Sequence, residues 1–156
     1  MNFRTIGLVL GLVVVSLSAA GADNKTIGTW KQNLAKSKYN PGPTPTTAAT
    51  LMIEQAPGGE KISVNGVGAD GMPASWSYTV SDDGKPTPVT GSPYGDTVSL
   101  KRINSETTQI TYRRNGKTSR TSTRTVSKDG RTLTVAAKGT NAKGQAYNNT
   151  TVFEKQ

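Results

Sequence analysis

The strongest turn signal in the chain lies in the stretch Gln109-Ile110-Thr111-Tyr112-Arg113-Arg114-Asn115-Gly116-Lys117-Thr118-Ser119-Arg120. An Asn-Gly pair favours the left-handed backbone of a two-residue turn, and alternating residues on both sides are typical of strands. We therefore predict a β-hairpin that turns at Asn115-Gly116. Arg114 then faces Lys117, and Tyr112 faces Ser119.

The hairpin also predicts which side chains are inside the fold. If Ile110 and Tyr112 point into a core, the arginines Arg113, Arg120 and Arg124 lie on the opposite, outer face. Because side chains alternate with a period of two, a slip of one residue would invert this assignment.

Similar turn signals divide the rest of the chain into short β-prone segments. They stand at Pro57-Gly58-Gly59, Asp70-Gly71, Asp83-Gly84, Asp129-Gly130 and Lys143-Gly144. Between them apolar and polar residues alternate, as in Trp76, Tyr78 and Val80, which share one face. We predict strands at roughly 26–33, 48–55, 60–67, 74–81, 86–90, 96–103, 107–114, 117–127, 131–138 and 145–154.

Short turns between so many strands indicate an antiparallel up-and-down meander. A meander leaves exposed edge strands unless it closes on itself or folds over. We therefore predict an all-β fold, a closed barrel of about 8–10 strands, with a β-sandwich as the alternative.

Composition excludes much of the catalytic repertoire. The chain has 156 residues, with 19 Lys+Arg, 10 Asp+Glu and neither cysteine nor histidine. Without those two residue types it cannot form a Ser-His-Asp triad, a thiolate zinc site or a histidine-ligated iron site. The carboxylates of Asp82-Asp83 are adjacent in sequence, but they precede a turn at Gly84 and should point apart. We predict no enzyme activity, no cofactor and no metal site.

Residues 1–22 have the pattern of a secretory signal peptide. A positive charge at Arg4 precedes an apolar run of ten residues, and Ala20-Gly21-Ala22 supplies a small-residue cleavage pattern. The apolar run is shorter than the ~20 residues that a helix needs to cross a bilayer. We predict an exported protein, periplasmic or secreted, whose residues 23–156 form one domain without a transmembrane segment.

Helix-forming sequence is scarce. Leu34 to Lys38 could form one helical turn, but the prolines that follow remove backbone donors, and the sequence is proline-rich over 40–47. We predict a loop over most of 33–49, which either only connects two strands or covers the mouth of the barrel.

The two ends of the predicted barrel resemble a known family. Gly28-Thr29-Trp30-Lys31 opens the first strand, and Asp129-Gly130-Arg131-Thr132-Leu133-Thr134 and Val152-Phe153-Glu154-Lys155 stand near the end. These motifs resemble the fatty-acid-binding-protein branch of the lipocalin superfamily. The chain also resembles uncharacterised exported bacterial proteins of lipocalin type.

The resemblance implies a barrel that holds a small apolar ligand, with Gly28 and Trp30 in a structural role at its floor. The sequence departs from the family at two places. The family's R-x-Y anchor for a ligand carboxylate is replaced by Thr151-Val152-Phe153, and its two-helix lid is replaced by the proline-rich loop. The resemblance therefore implies the barrel but not the usual anchor for fatty acids.

Seven residues of the predicted strands are candidates to line the interior. They are Leu51, Ile53, Ile62, Val64, Trp76, Tyr78 and Tyr112. The first functional hypothesis is a non-enzymatic binding protein with a small hydrophobic ligand among these side chains. They could equally fill the core of a small barrel, and a void of several hundred Å3 would favour the binding protein.

The second hypothesis concerns charge. Residues 101–131 contain nine basic and two acidic residues, a net charge of +7. With Arg113, Arg120 and Arg124 on an outer face, this region could bind anionic lipid or polysaccharide in a cell envelope, or it could simply be a solvated surface. We do not expect a nucleic acid partner, because export removes it and only Tyr112 offers a stacking ring within the cluster.

Overall fold

The computed structural model describes residues 24–42, 46–68, 70–141 and 143–156. The predicted signal peptide, residues 1–22, lies outside the described residues. The described part of the chain forms ten strands, and each strand predicted from the sequence is present. They are β1 (Gly28–Asn40), β2 (Thr46–Ala56), β3 (Gly59–Gly68), β4 (Pro73–Ser81), β5 (Thr87–Pro88), β6 (Thr97–Arg102), β7 (Thr107–Arg114), β8 (Lys117–Val126), β9 (Thr132–Thr140) and β10 (Ala146–Lys155).

The strands form one antiparallel sheet that curls into a nearly closed barrel. Consecutive strands pair from β1 to β4 and from β5 to β10, and β1 pairs with β10 to join the two halves. The edge strands β4 and β5 leave a gap in the barrel, and at one end of it an isolated bridge joins Asp83, just after β4, to Lys101 of β6. The prediction of an all-β antiparallel meander closed into a barrel is confirmed, and the alternative sandwich is wrong.

The prediction of a loop over most of 33–49 is wrong. Strand β1 continues to Asn40 because β10 supplies a pairing partner that the local sequence does not reveal, with Lys38 opposite Thr150. The predicted turn of helix is replaced by a bulge in β1, where the Ser37 hydroxyl donates to the carbonyl of Asn33 at 2.7 Å. Pro43 and Pro45 lie outside the described residues, and β2 begins directly afterwards.

The hairpin of β7 and β8 has the predicted turn but a different register. Asn115 and Gly116 have φ angles of 51° and 75°, and Arg114 faces Lys117. Beyond Thr118 the register shifts, so that Tyr112 faces Arg120 instead of Ser119. Ser119 is therefore an extra residue in β8, a β-bulge that reverses which of the following side chains point inward.

Two contacts outside the hairpin accommodate this bulge. The Ser119 hydroxyl donates to the carbonyl of Tyr94 at 2.5 Å. The Ser119 carbonyl occupies the space where residue 139 of β9 would carry a Cβ, 2.3 Å from that position, so only glycine fits there. The bulge is thus fixed by tertiary contacts rather than by the turn.

The apolar core fills one end of the barrel, where β1 begins and β10 ends; we call this the closed end. Trp30 is 0% exposed there, and its indole N–H donates to the carbonyl of Thr26 at 2.9 Å. Its neighbours in the core include Ile53, Val80, Val98, Leu100, Val126 and Leu133. Packing at this end leaves free space only toward the opposite end of the barrel.

Candidate functional site

A cavity occupies the middle of the barrel and extends toward the end opposite the closed end, which we call the cavity end. Its volume is about 90 Å3, counted as the space that the centre of a water molecule can reach. Its lining consists of Tyr39, Thr46, Ala49, Leu51, Ile62, Val64, Trp76, Tyr78, Tyr94, Ile110, Tyr112, Arg120, Ser122, Arg124, Val135, Asn149, Thr151 and Phe153.

The structure places most of the predicted interior residues in this lining. Leu51, Ile62, Val64, Trp76, Tyr78 and Tyr112 all contribute. Ile53 does not: it points inward like Leu51 but lies two residues nearer the closed end, where it is 1% exposed and packs in the solid core. Gly28 and Trp30 are also at the closed end and do not line the cavity.

Aromatic rings form a continuous wall on one side of the cavity. Trp76 and Tyr94 meet edge to face with ring centres 5.8 Å apart, and Tyr94 and Tyr112 are tilted at 5.4 Å. Tyr78 and Tyr112 meet edge to face at 6.2 Å, and their hydroxyls share a hydrogen bond of 2.5 Å. That bond links β4 to β7 across the gap in the barrel.

The two phenols of that bond are held in the neutral form. Burial raises the pKa of Tyr78 well above its usual value of 10.0, and the adjacent Tyr112 adds to the shift. Burial also raises the pKa of Tyr112. The pair therefore contributes hydroxyl groups, and no negative charge, to the cavity wall.

Two arginines of β8 point into the barrel, which contradicts the prediction of an outer patch formed by Arg113, Arg120 and Arg124. The bulge at Ser119 places Arg120 and Arg124 on the inner face, and both line the cavity. Arg113 is the member that stays on the outer face, where its guanidinium donates to the Ser99 hydroxyl at 3.3 Å.

Arg124 belongs to a buried ionic network at the boundary between cavity and core. Its guanidinium is 2.5 Å from a carboxylate oxygen of Glu60, and the two side chains are 1% and 0% exposed. It also donates to the Thr26 hydroxyl at 3.2 Å, while the Asn24 amide donates to Glu60 at 2.7 Å. Arg102 of β6 reaches the same carboxylate at 3.4 Å. This network ties β3, β6 and β8 together near the closed end.

Arg120 has different surroundings. Its guanidinium carbon lies 3.8 Å from the ring centre of Tyr94 and 6.0 Å from that of Tyr112. No acidic side chain of the described residues forms an ion pair with it. Arg120 also lines a second, shallow pocket outside the barrel between β8, β9 and Tyr147, so it lies in the wall between the cavity and the surface.

The sequence contained a signal for the inward arginines that the hairpin prediction did not use. Val126 is two residues from Arg124, so their side chains lie on the same face of β8, and the apolar side chain of Val126 is buried in the core. Arg120, Ser122, Arg124 and Val126 therefore share the inner face. Tyr94, by contrast, lies in the connection between β5 and β6, where no periodicity indicates its direction.

The described residues show neither a metal site nor a membrane-spanning helix. No group of three or more acidic side chains is close enough there to hold a metal ion. Within those same ranges, no helix is long and apolar enough to cross a membrane. The chemistry at hand in the cavity is therefore that of aromatic rings, hydroxyls and guanidinium groups.

No protein-family model matches the chain, and comparison with curated proteins finds no match. Among solved structures, the chain is similar to zebrafish ileal bile acid-binding protein, crystallised in complex with cholic acid. The sequences are 13% identical, the alignment covers 85% of this chain and 98% of the zebrafish chain, and the TM-score is 0.50. This likeness shows a common fold, in agreement with the barrel that the motifs at the two ends imply.

Proposed function

We propose that this protein is an exported, non-enzymatic binding protein that holds a small, largely apolar ligand inside its barrel. The observation that carries the proposal is the partly enclosed cavity, two thirds of whose lining residues are aromatic or aliphatic and one third polar. Sites for small molecules have this composition. The cholic acid in the zebrafish structure supports the proposal in general terms, since it shows that a barrel of this fold can hold a small organic molecule.

The size of the cavity limits the ligand. About 90 Å3 is less than the several hundred Å3 that we expect for a binder of drug-sized molecules, yet it is more than a filled core would leave. The proposal is therefore a compact ligand. The envelope-binding alternative loses support, because two of its three arginines face the interior.

Tryptophan fluorescence can test this proposal with an internal control. Trp76 lines the cavity, whereas Trp30 is buried in the core at the closed end. Titration with a panel of small apolar compounds should produce a saturable change in emission in the wild type. A Trp76→Phe variant should lose most of that change while calorimetry still detects binding.

Native mass spectrometry of the protein purified from its own source provides the second test. A ligand that binds with useful affinity should travel with the folded protein and add a discrete mass. If neither fluorescence nor calorimetry shows saturable binding across the panel, and the native mass equals that of the chain alone, the proposal is wrong.

A further inference from the structure

Three buried N–H groups of the cavity lining lack a hydrogen-bond partner among the described residues. They are Nε1 of Trp76, Nε of Arg120 and Nε of Arg124. Each of these atoms can only donate a hydrogen bond. Because buried donors are almost always paired in folded proteins, a ligand that carries acceptor atoms would satisfy them.

The charged side chains around the cavity indicate the sign of the ligand's charge. The positive charge of Arg124 is matched by Glu60 at 2.5 Å. Arg120 is partly exposed, but its Nε is buried, and no acidic side chain of the described residues pairs with it. One uncompensated positive charge therefore lies in the cavity wall, at the position where Arg120 meets Tyr94.

The stacking of Arg120 leaves it suited to bind a carboxylate. The guanidinium carbon of Arg120 lies over the ring of Tyr94, 3.8 Å from the ring centre. The N–H groups of a guanidinium lie in its plane, so a group stacked on one face still presents its edge as a fork of donors. A planar carboxylate matches that fork with two parallel hydrogen bonds.

The cavity also determines the shape of the ligand. A volume of about 90 Å3 is small for a ligand pocket and favours one aromatic ring with its carboxylate over a long alkyl chain. Trp76, Tyr94 and Tyr112 already meet edge to face or tilted, at 5.4–5.8 Å. A further ring can join such a wall in the same geometry, which is favoured over simple apolar contact.

Resting on the proposed function, we infer that the ligand is a compact aromatic anion whose carboxylate binds Arg120 and whose ring packs against Trp76, Tyr94 and Tyr112. This site differs from an anchor on the last strand, where Thr151-Val152-Phe153 carries no charge. It uses a side chain that only the bulge at Ser119 turns inward.

The test compares ligands that differ in one property at a time, by calorimetry on the full chain. The set is benzoate, 2-naphthoate, benzyl alcohol, cyclohexanecarboxylate and dodecanoate. We expect benzoate to bind about ten-fold or more tightly than benzyl alcohol, because charge-assisted hydrogen bonds are the stronger ones. The larger 2-naphthoate should bind more weakly than benzoate. Cyclohexanecarboxylate should bind more weakly than benzoate, and dodecanoate should bind weakest of the acids.

Variants then assign the preference to Arg120. Arg120→Gln should reduce the preference for acid over alcohol to within about two-fold. Arg120→Lys keeps the charge without the fork and should retain part of the preference. Arg113→Gln is the matched control on the outer face of the same hairpin and should behave as the wild type. Circular dichroism checks that each variant folds.

The outcomes separate this inference from the proposed function. Equal binding of acid and alcohol, a preference that survives in Arg120→Gln, or tighter binding of dodecanoate than of the aromatic acids would overturn the inference. Binding of neutral compounds alone would overturn it as well, while the proposed function would stand. If nothing in this set or in the wider apolar panel binds, both are wrong.

Discussion

Loss of one partner of the buried ion pair between Glu60 and Arg124 should strongly destabilise the closed end. Glu60→Gln keeps the shape of the side chain and an acceptor for Asn24, but it removes the negative charge 2.5 Å from Arg124. Arg124 is 1% exposed and cannot reach water to compensate. Removal of one partner from a buried pair typically costs about 3–5 kcal/mol.

That loss is large compared with the stability of a domain of this size. Single domains are stable by only about 5–15 kcal/mol. A loss of about 3–5 kcal/mol should lower the melting temperature by roughly 10–20 °C. We expect Glu60→Gln to fold at low temperature and to unfold well before the wild type.

Urea denaturation monitored by the emission of Trp30 measures this loss directly. A matched control is Glu54→Gln, which breaks the exposed pair between Glu54 and Lys61 on β2 and β3, where the side chains are 47% and 52% exposed. That change should cost less than about 1 kcal/mol. A double variant with Glu60→Gln and Arg124→Met should recover much of the lost stability, because it no longer buries an unpaired charge.

Two results would refute this reasoning. If Glu60→Gln cost no more than Glu54→Gln, Arg124 would not depend on Glu60 for its charge balance. If the double variant were as unstable as the single one, the loss would come from packing rather than from the unpaired guanidinium.

Three further predictions concern other parts of the molecule. The folded pKa values of Tyr78 and Tyr112 are raised, so the stability that these phenols contribute is present below pH 10.0 and lost as pH rises through the folded values. An ultraviolet titration should show both phenols protonated until the protein unfolds at alkaline pH. Ionisation of either phenol before unfolding would contradict this prediction. Hydrogen bonds from the backbone N–H and the side chain of Lys85 lower the pKa of Asp83 to about 2. The stability that Asp83 contributes is therefore present above its unfolded pKa of 3.8 and lost as pH falls toward 2. Carbon NMR of the carboxyl should give a pKa of about 2, and a value near 3.8 would refute this prediction. Val135→Phe adds a ring to the cavity wall and should weaken the binding of a hydrophobic probe about ten-fold or more. Ala136→Phe, on the exposed face of β9, should leave the affinity for the probe within about two-fold of the wild type. Equal effects of the two variants would show that the probe binds elsewhere.

The fold could be predicted because its signals are local. The alternation of Trp76, Tyr78 and Val80 marks an inner face, and Asn115-Gly116 sets a turn that the structure reproduces in its φ angles. Each of these signals spans a few residues and depends little on partners elsewhere. The same is true of six of the seven interior residues, which follow from strand alternation. The exception, Ile53, points inward as predicted but lies in the core at the closed end instead of in the cavity. Its position along the barrel axis depends on which end of the barrel is filled by side chains.

What the sequence by itself determined is therefore the all-β class, the ten strands and most of the apolar lining of the barrel. The tertiary structure decided where the bulge in β8 lies and therefore how far along the strand the inner face changes. One extra residue at Ser119, accommodated by Gly139 of β9 and the carbonyl of Tyr94, turns Arg120 and Arg124 from the surface into the interior. Alternation has a period of two, so a single bulge reverses every side chain beyond it. Its position depends on contacts between strands that no local pattern contains.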